Sequence, residues 1–428
     1  MRRFGTKPDM KQIHFNKENL SFALANVLAF RFRSLLTVLG IIVGIVTVVL
    51  VASILVGVRN NIALLFQEFG PNNIFAYHLN GDPGSPTIKP EESTRKPLKA
   101  EFAGMLVAAC PSLVDAAAQI LVPAIVGSRA LTARNKGREN DNIQVQGATW
   151  NFAQVTGAEL QSGRVYTDEE ERRGAKVCLL GANIAASLFP SGDAVGQSVI
   201  MDGAVYHVLG VLQKRKGGFI GENRQDNAVM IPLRTIRKRY PDAETVVLYC
   251  QARPGLRDTA FNEVESELRR LRGLSSKQES DFTLSTADSI IQQIDRITAL
   301  IRLGTMAISG LGLLVGGVGV MNIMLMSVTQ RTREIGIRKA IGARRRDIVW
   351  QFLLEAALLT SIGGLLGVCI ASLLGLALAL TVPNLPAIPP AWAVLSGLGV
   401  STFVGLVFGI WPAIKAARLD PVESLRYE

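Results

Sequence analysis

Three histidines and four cysteines in 428 residues leave little with which to hold a metal ion. His14, His78 and His207 are too few and too scattered for a ligand cluster. No G-x-x-x-x-G-K-[ST] run occurs, so the chain lacks the loop whose amides cradle nucleotide phosphates. G-x-S-x-G and H-E-x-x-H are missing too. No catalytic, metal-binding or cofactor-binding residue is therefore assigned, and an enzyme acting alone is disfavoured. Cys110, Cys178 and Cys250 fall in the central block, an odd number that excludes a complete disulfide framework while allowing one bridge. Each of them, with Cys369, reads as a buried free thiol. The acidic run from Asp168 to Glu171 could pass for a cation site. Thr167 or Asp168 ahead of it reads better as a helix cap, with the carboxylates at the positive end of the helix dipole.

Charge is what the sequence lacks over its longest stretches. Only 19% of residues are charged, and the mean hydropathy of +0.27 is too high for an ordinary soluble globule. No side chain ionised at neutral pH occurs between Ser34 and Val58 or between Leu303 and Gln330, and 59 uncharged residues separate Glu355 from Lys415. A bilayer core takes about 20 apolar residues per helix. The first two runs fit one crossing each. The third fits two, with Pro383, Pro386, Pro389 and Pro390 marking the turn. The spacing predicts spans at 35–58, 299–330, 348–382 and 391–412, with the turn at 383–390. The first run is longer than the apolar region of a cleaved signal, and no A-x-A site follows it. The span interiors carry no charge and Glu355 is near a membrane end, so a proton-driven carrier is disfavoured. Glycines four residues apart (Gly40/Gly44, Gly312/Gly316, Gly363/Gly367, and Ser401/Gly405/Gly409) read as close helix packing rather than a channel.

The charges that are present orient the chain. Residues 1–34 carry 7 Lys/Arg against 2 Asp/Glu, and 299–428 carry 11 against 6, while the block 59–298 is nearly balanced at 28 against 27. The segment 331–347 alone has seven basic and two acidic residues. By the positive-inside rule this loop, the lead-in 1–34 and the tail 413–428 are expected in the cytoplasm, and the block 59–298 on the far side. The isoelectric point near 9.7 is then a topology signal, and nucleic acid is not an expected partner. The lead-in is basic and partly amphipathic, suited to the lipid surface.

Two apolar stripes flank the central block. Val58, Ile62, Leu65 and Phe69 continue the first span past the membrane, and Ile290, Ile294, Ile297 and Ile301 repeat the spacing before the second. They are expected to bury against each other as a helical stalk. Between them, strand–helix–strand patterns at 73–79, 100–109 and 112–122, and again at 245–251, 258–272 and 281–285, predict two β-α-β units in an α+β layer domain. The stretch 80–97 reads as a loop. A β-rich insertion is expected over about 143–233, with strands at 199–201, 206–211 and 229–231 and a short helix at 183–189. The fold class is thus an α-helical membrane protein with four transmembrane helices plus a large α+β domain on a helical stalk.

The sharpest local feature is Gln330-RTREIGIRKAIGARRRDIVWQFLLEA-Ala357. Thr332–Ile341 is expected to form a short helix, with Glu334 and Arg338 paired at i, i+4, Ile337 and Ile341 on one face, and Gly342 as its stop. Such a helix suits docking into a partner's groove; a topogenic basic loop on anionic lipid is the plainer reading.

This loop, with Arg33-SLLTVLGIIVGI-Val46, Gly163-RVYTDEEERRGAKVCLLG-Gly181, Asp193-AVGQ-Gln197 and Pro412-AIKAARLDPVESLR-Arg426, resembles the FtsX-like permeases of the MacB-type, mechanotransmitting ABC transporters. The resemblance runs over nearly the whole length. It implies a bacterial inner-membrane dimer, of two identical or related permeases, whose periplasmic core has a porter-like subdomain and an inserted β-rich one. It also implies a separate ABC ATPase subunit that binds the ATP, since only 34 residues precede the first span here. Glu334, Ile335, Ile337, Arg338 and Ile341 are then expected nearest that ATPase. The stalk residues Ile62, Leu65, Phe69, Ile290, Ile294 and Ile297 would carry motion outward. Efflux of small or amphipathic molecules with a periplasmic adaptor and an outer-membrane channel is the leading expectation. Activation of a cell-wall hydrolase and lipoprotein release are the alternatives.

Overall fold

The computed structural model describes residues 31–68, 70, 72–79, 95–123, 125–126, 129–215, 223–382, 385 and 387–426. The lead-in 1–30, Phe69, the loop 80–94 and prolines 383 and 386 lie outside the described residues. The chain divides into two compact units.

In chain order the elements are α1 (Arg31–Glu68), β1 (Asn73–Tyr77), α2 (Phe102–Ala109), β2 (Leu113–Leu121), β3 (Ile125–Val126), β4 (Arg129–Ala130), β5 (Ala133–Asn135), β6 (Arg138–Asn140), β7 (Gln144–Ala148), α3 (Phe152–Val155), β8 (Leu160–Gly163), α4 (Asp168–Arg173) and β9 (Val177–Leu180). They continue with α5 (Ala182–Leu188), β10 (Ser198–Met201), β11 (Ala204–Leu212), β12 (Ala228–Pro232), α6 (Leu233–Arg239), β13 (Val246–Ala252), α7 (Arg257–Leu271), β14 (Thr283–Thr286), α8 (Ala287–Gln330), α9 (Thr332–Ala340), α10 (Arg345–Thr381), α11 (Ala391–Arg418) and α12 (Pro421–Arg426).

One unit, 54–301 with 377–387, is built on a 12-stranded sheet. At one end β14-β1-β13-β2 stand in that order with antiparallel neighbours, so β1-α2-β2 and β13-α7-β14 interleave as a split β-α-β pair. The two β-α-β units expected from the sequence are present. Period-two alternation gives the sheet two buried faces. Ile74, Ala118, Leu248 and Cys250 face the layer containing Leu106 of α2 and Val264 and Leu268 of α7. Phe75, Ala117 and Tyr249 face the opposite core with Phe152 and Tyr166. There the rings of Phe75 and Phe152 each meet Tyr249 edge to face, at 5.5 and 5.1 Å.

The β-rich insertion is not a separate sheet. β7 pairs with β2, Gln119 opposite Ala148, and extends the sheet through β12, β9, β11 and β10. A buried polar chain crosses that junction on the second face. Tyr249 Oη donates to Gln119 Oε1 at 2.7 Å, and Gln119 Nε2 donates to Gln146 Oε1 at 2.8 Å. Satisfied in this way, the two buried amides fix the register rather than weaken the core. The same sheet also takes in β5 and β6, which lie before residue 143; β5 pairs with β10, and β6 pairs with β5.

The acidic run starts a helix, as its sequence suggested. Thr167 caps α4 in a reciprocal box with Glu170, and Gly174 closes it in the left-handed region. Arg164 holds the Glu170 carboxylate at 2.7 Å, and this pairing with the Thr167 amide draws its pKa down to about 2. Cys110, Cys178 and Cys250 are buried free thiols, and burial pushes them up to about 11, 12 and 12.

The other unit, 1–53 with 302–376 and 388–428, is helical over most of its described residues. Among the described residues α1, α8, α10 and α11 are long and apolar enough to cross a membrane. Glycine lets them approach. A β-carbon on Gly40 would lie 3.1 Å from the Gly316 backbone, and one on Gly405 would strike Thr360. Ser309 Oγ donates to the Gly44 carbonyl at 2.7 Å, and Ser361 bonds Thr402 at 2.9 Å. Cys369 is exposed on this helical surface rather than buried, because it points away from the packed seam of Ile41, Ile45, Val49 and Val368.

Candidate functional site

The stalk residues lie in the sheet unit. Ile62 and Ile294 are 1% and 5% exposed. Leu65 and Ile290 pack against the second core of the sheet beside Phe75 and Tyr249, and Phe66 meets Phe75 edge to face at 5.8 Å. Part of each stripe therefore closes the underside of the sheet. Arg59 and Asp295 bridge the two helices at 2.6 Å, both nearly half exposed. Ile297 is half-buried, and Ile301 is 45% exposed, so the second stripe stops a turn sooner than its spacing suggested.

The loop helix lies in the membrane-type unit, between α8 and α10. Thr332 Oγ1 donates back to the Val328 and Thr329 carbonyls, which turns the chain out of α8. Gly342, at φ +106°, ends α9, with the Ala343 amide donating to the Arg338 carbonyl at 3.0 Å. Asp347 then accepts from the Arg344 amide at 3.1 Å and starts α10, its charge at the positive end of the dipole.

The two faces of α9 differ. Thr332, Ile335 and Gly336 are buried. Ile335, expected among the residues nearest an ATPase, points inward instead and is 2% exposed, joining a core with Ile348, Phe352, Ala416 and Ala417. The small alanines of α11 leave room for it. Ile337 and Ile341 point outward, 44% and 82% exposed. Glu334 and Arg338 pair at 2.5 Å, and Arg338 also donates to Gln351 Oε1 at 2.6 Å, so both are held to the chain's own helices. At the foot of α8, Arg331 meets Glu355 of α10 at 3.2 Å, each under a fifth exposed. Sequence reasoning placed Glu355 only near a membrane end; its partner is 24 residues away and no short-range pattern marks it. Trp350, 62% exposed on α10, was not singled out either. The exposed surface thus has two isoleucines, with Arg344, Arg345 and Arg346 exposed just after them in sequence. It offers apolar contact within a positive field and has no nucleophile or acid–base pair.

These features define a class: a polytopic membrane protein with four candidate membrane helices and a large mixed α/β domain inserted between the first two. The chain belongs to the MacB-like, FtsX-like permease family of ABC transporters. Residues 34–270 match the MacB-like periplasmic core domain and residues 306–421 the FtsX-like permease C-terminal domain.

It is 33% identical over 417 residues to the macrolide export ATP-binding/permease protein MacB 2 of Aeromonas hydrophila, covering 96% of this chain and 61% of that protein. It is 32% identical over 416 residues to the uncharacterized ABC transporter permease YknZ of Bacillus subtilis, covering 96% of this chain and 99% of that one. The chain thus spans about three-fifths of the ATP-binding relative and nearly all of the permease relative. The crystal structure of the periplasmic region of MacB from Actinobacillus actinomycetemcomitans overlaps 54% of this chain and 95% of its own length, with a TM-score of 0.42 and 16% identity.

Proposed function

We propose that this chain is the permease subunit of a MacB-like transporter, passing ATP-driven motion from a separate ABC ATPase to its large domain for efflux of small or amphipathic molecules. In this reading two permeases pair, the termini and the α9 loop are cytoplasmic, and the sheet unit is periplasmic. The observation that carries it is α9 itself. Ile337 and Ile341 face solvent in a loop whose charged side chains Glu334 and Arg338 are already paired, and exposed isoleucines are what a docking partner would cover. The adjoining α8 is one unbroken helix of 44 residues, about 66 Å at 1.5 Å per residue, and its first residues follow the sheet strand β14.

The test is an export assay in cells carrying this permease and its candidate ATPase, alone and together. Efflux of an amphipathic dye that needs both proteins supports the reading. Released cell-wall fragments without dye efflux would move it to the hydrolase-activating alternative, and released lipoprotein to the third. Orientation is checked in the same cells. In a background without native cysteines, Lys136→Cys should react with an impermeant maleimide and Arg345→Cys should not.

A further inference from the structure

The segment that follows α11 is not used by any step above, yet it lies directly on the loop helix. Leu419 ends α11, Asp420 caps the next turn by accepting from the Val422 amide at 2.8 Å, and α12 packs along α9. Two contacts fasten the pair. Lys339 Nζ of α9 donates to the Leu419 carbonyl at 2.5 Å. Gly336 of α9 sits on Ser424 of α12, which is 2% exposed, and a β-carbon built on Gly336 would lie 2.6 Å from the Ser424 β-carbon. Side chains do not approach that closely, so only glycine allows this packing. Gly336 also lies on the inward face with Ile335, between the core and the outward pair Ile337 and Ile341.

We propose that 419–426 is a brace for the loop helix, and that Gly336 and Ser424 are positioning residues that set where Ile337 and Ile341 stand for the ATPase. The functional half of this rests on the reading above; the structural half does not. α9 has only nine residues, too short to hold its shape in water without tertiary support. Its inward face receives that support twice, from the core through Ile335 and from the brace through Gly336.

The experiment uses the full chain in lipid nanodiscs, with hydrogen exchange of amides 332–340 as the first readout and capture of the ATPase as the second. Alanine is a better helix former than glycine, so propensity alone predicts that Gly336→Ala slows exchange. The brace predicts the opposite: exchange at least tenfold faster, and capture weakened about tenfold. Adding Ser424→Gly removes the opposing β-carbon and should restore both. Adding Ser424→Ala keeps that β-carbon and should restore neither. Lys339→Met, which introduces no clash, should speed exchange more mildly, and it serves if Gly336→Ala does not accumulate. Unchanged or slower exchange in both Gly336→Ala and Lys339→Met overturns the brace. So does equal rescue by the glycine and alanine changes at 424. Faster exchange with normal capture overturns the positioning role. If the wild-type chain captures no ATPase, it is the proposed function that fails, and the exchange results still decide the brace.

Discussion

Replacing Ile337 and Ile341 together with Asp probes the outward face of α9 and leaves its inward face alone. Full burial of an isoleucine side chain contributes about 1.5–3 kcal/mol. Ile337 is already more than half covered by its own chain and Ile341 hardly at all, at 44% and 82% exposed. Scaled to the surface that docking has left to cover, the pair contributes about 2–4 kcal/mol. At 1.4 kcal/mol per decade, that is about one and a half to three decades of affinity for the ATPase. The loop charge falls only from +5 to +3, which should still orient the spans. The double variant is therefore expected at normal abundance and with wild-type maleimide labelling, but unable to retain its ATPase in a pull-down. Replacing Arg344, Arg345 and Arg346 with Lys keeps the charge and should keep capture. Undiminished capture and transport by the double Asp variant would show that the two isoleucines face only water or lipid headgroups, and that the loop serves orientation alone.

Two further outcomes follow from the sheet unit. Ile294→Asp places an unpaired carboxylate at a site 5% exposed, a change costing a few kcal/mol locally. Transport should fall while insertion and ATPase capture persist, and wild-type transport would mean the stripe bears no load. Glu170→Gln can keep the α4 cap box, since the amide oxygen still accepts from the Thr167 amide, but it removes the charge paired with Arg164 and should cost up to about 1 kcal/mol near neutral pH, read as faster hydrogen exchange over 168–174. The folded carboxyl titrates near 2 against an ordinary value of 4.5, so its contribution is complete above about 4.5 and is lost as pH falls toward 2. The difference between wild type and variant should shrink across that window, and a difference independent of pH would refute the assignment.

Most of the architecture was legible because solvent imposes it. A span excludes charge for some twenty residues, and that shows without any knowledge of contacts. The elements of the two β-α-β units were equally readable, since β1, β13 and α7 are apolar or helically spaced runs, but that the units interleave in the order β14-β1-β13-β2 was not. What escaped was set by partners distant in sequence. β7 carries Gln144, Gln146 and Gly147, a polar pattern for a buried strand, and it is stable there because Gln146 bonds Gln119. β9 is a four-residue apolar run, too short to separate from a helix fragment. β5 and β6 are short and charged, and belong to the sheet through edge pairing and an Arg134–Glu139 contact at 2.6 Å. On α9, periodicity over nine residues could not say which isoleucine turns inward. Ala416, Ala417 and Ser424, some 80 residues on, decide that Ile335 does.

The claim that matters most is that hydrolysis by a partner moves the sheet unit. It is measured most directly by pulsed spin-label distances between paired permeases labelled at Val205→Cys, a position 46% exposed on β11, in nanodiscs with the ATPase bound. ATP should shift the distance distribution. The shift should vanish with a hydrolysis-deficient ATPase, with the Ile337→Asp, Ile341→Asp permease, and with Ile294→Asp. A distribution that stays the same through active turnover in the wild-type complex would contradict the account, because ATP would then be consumed without the domain moving.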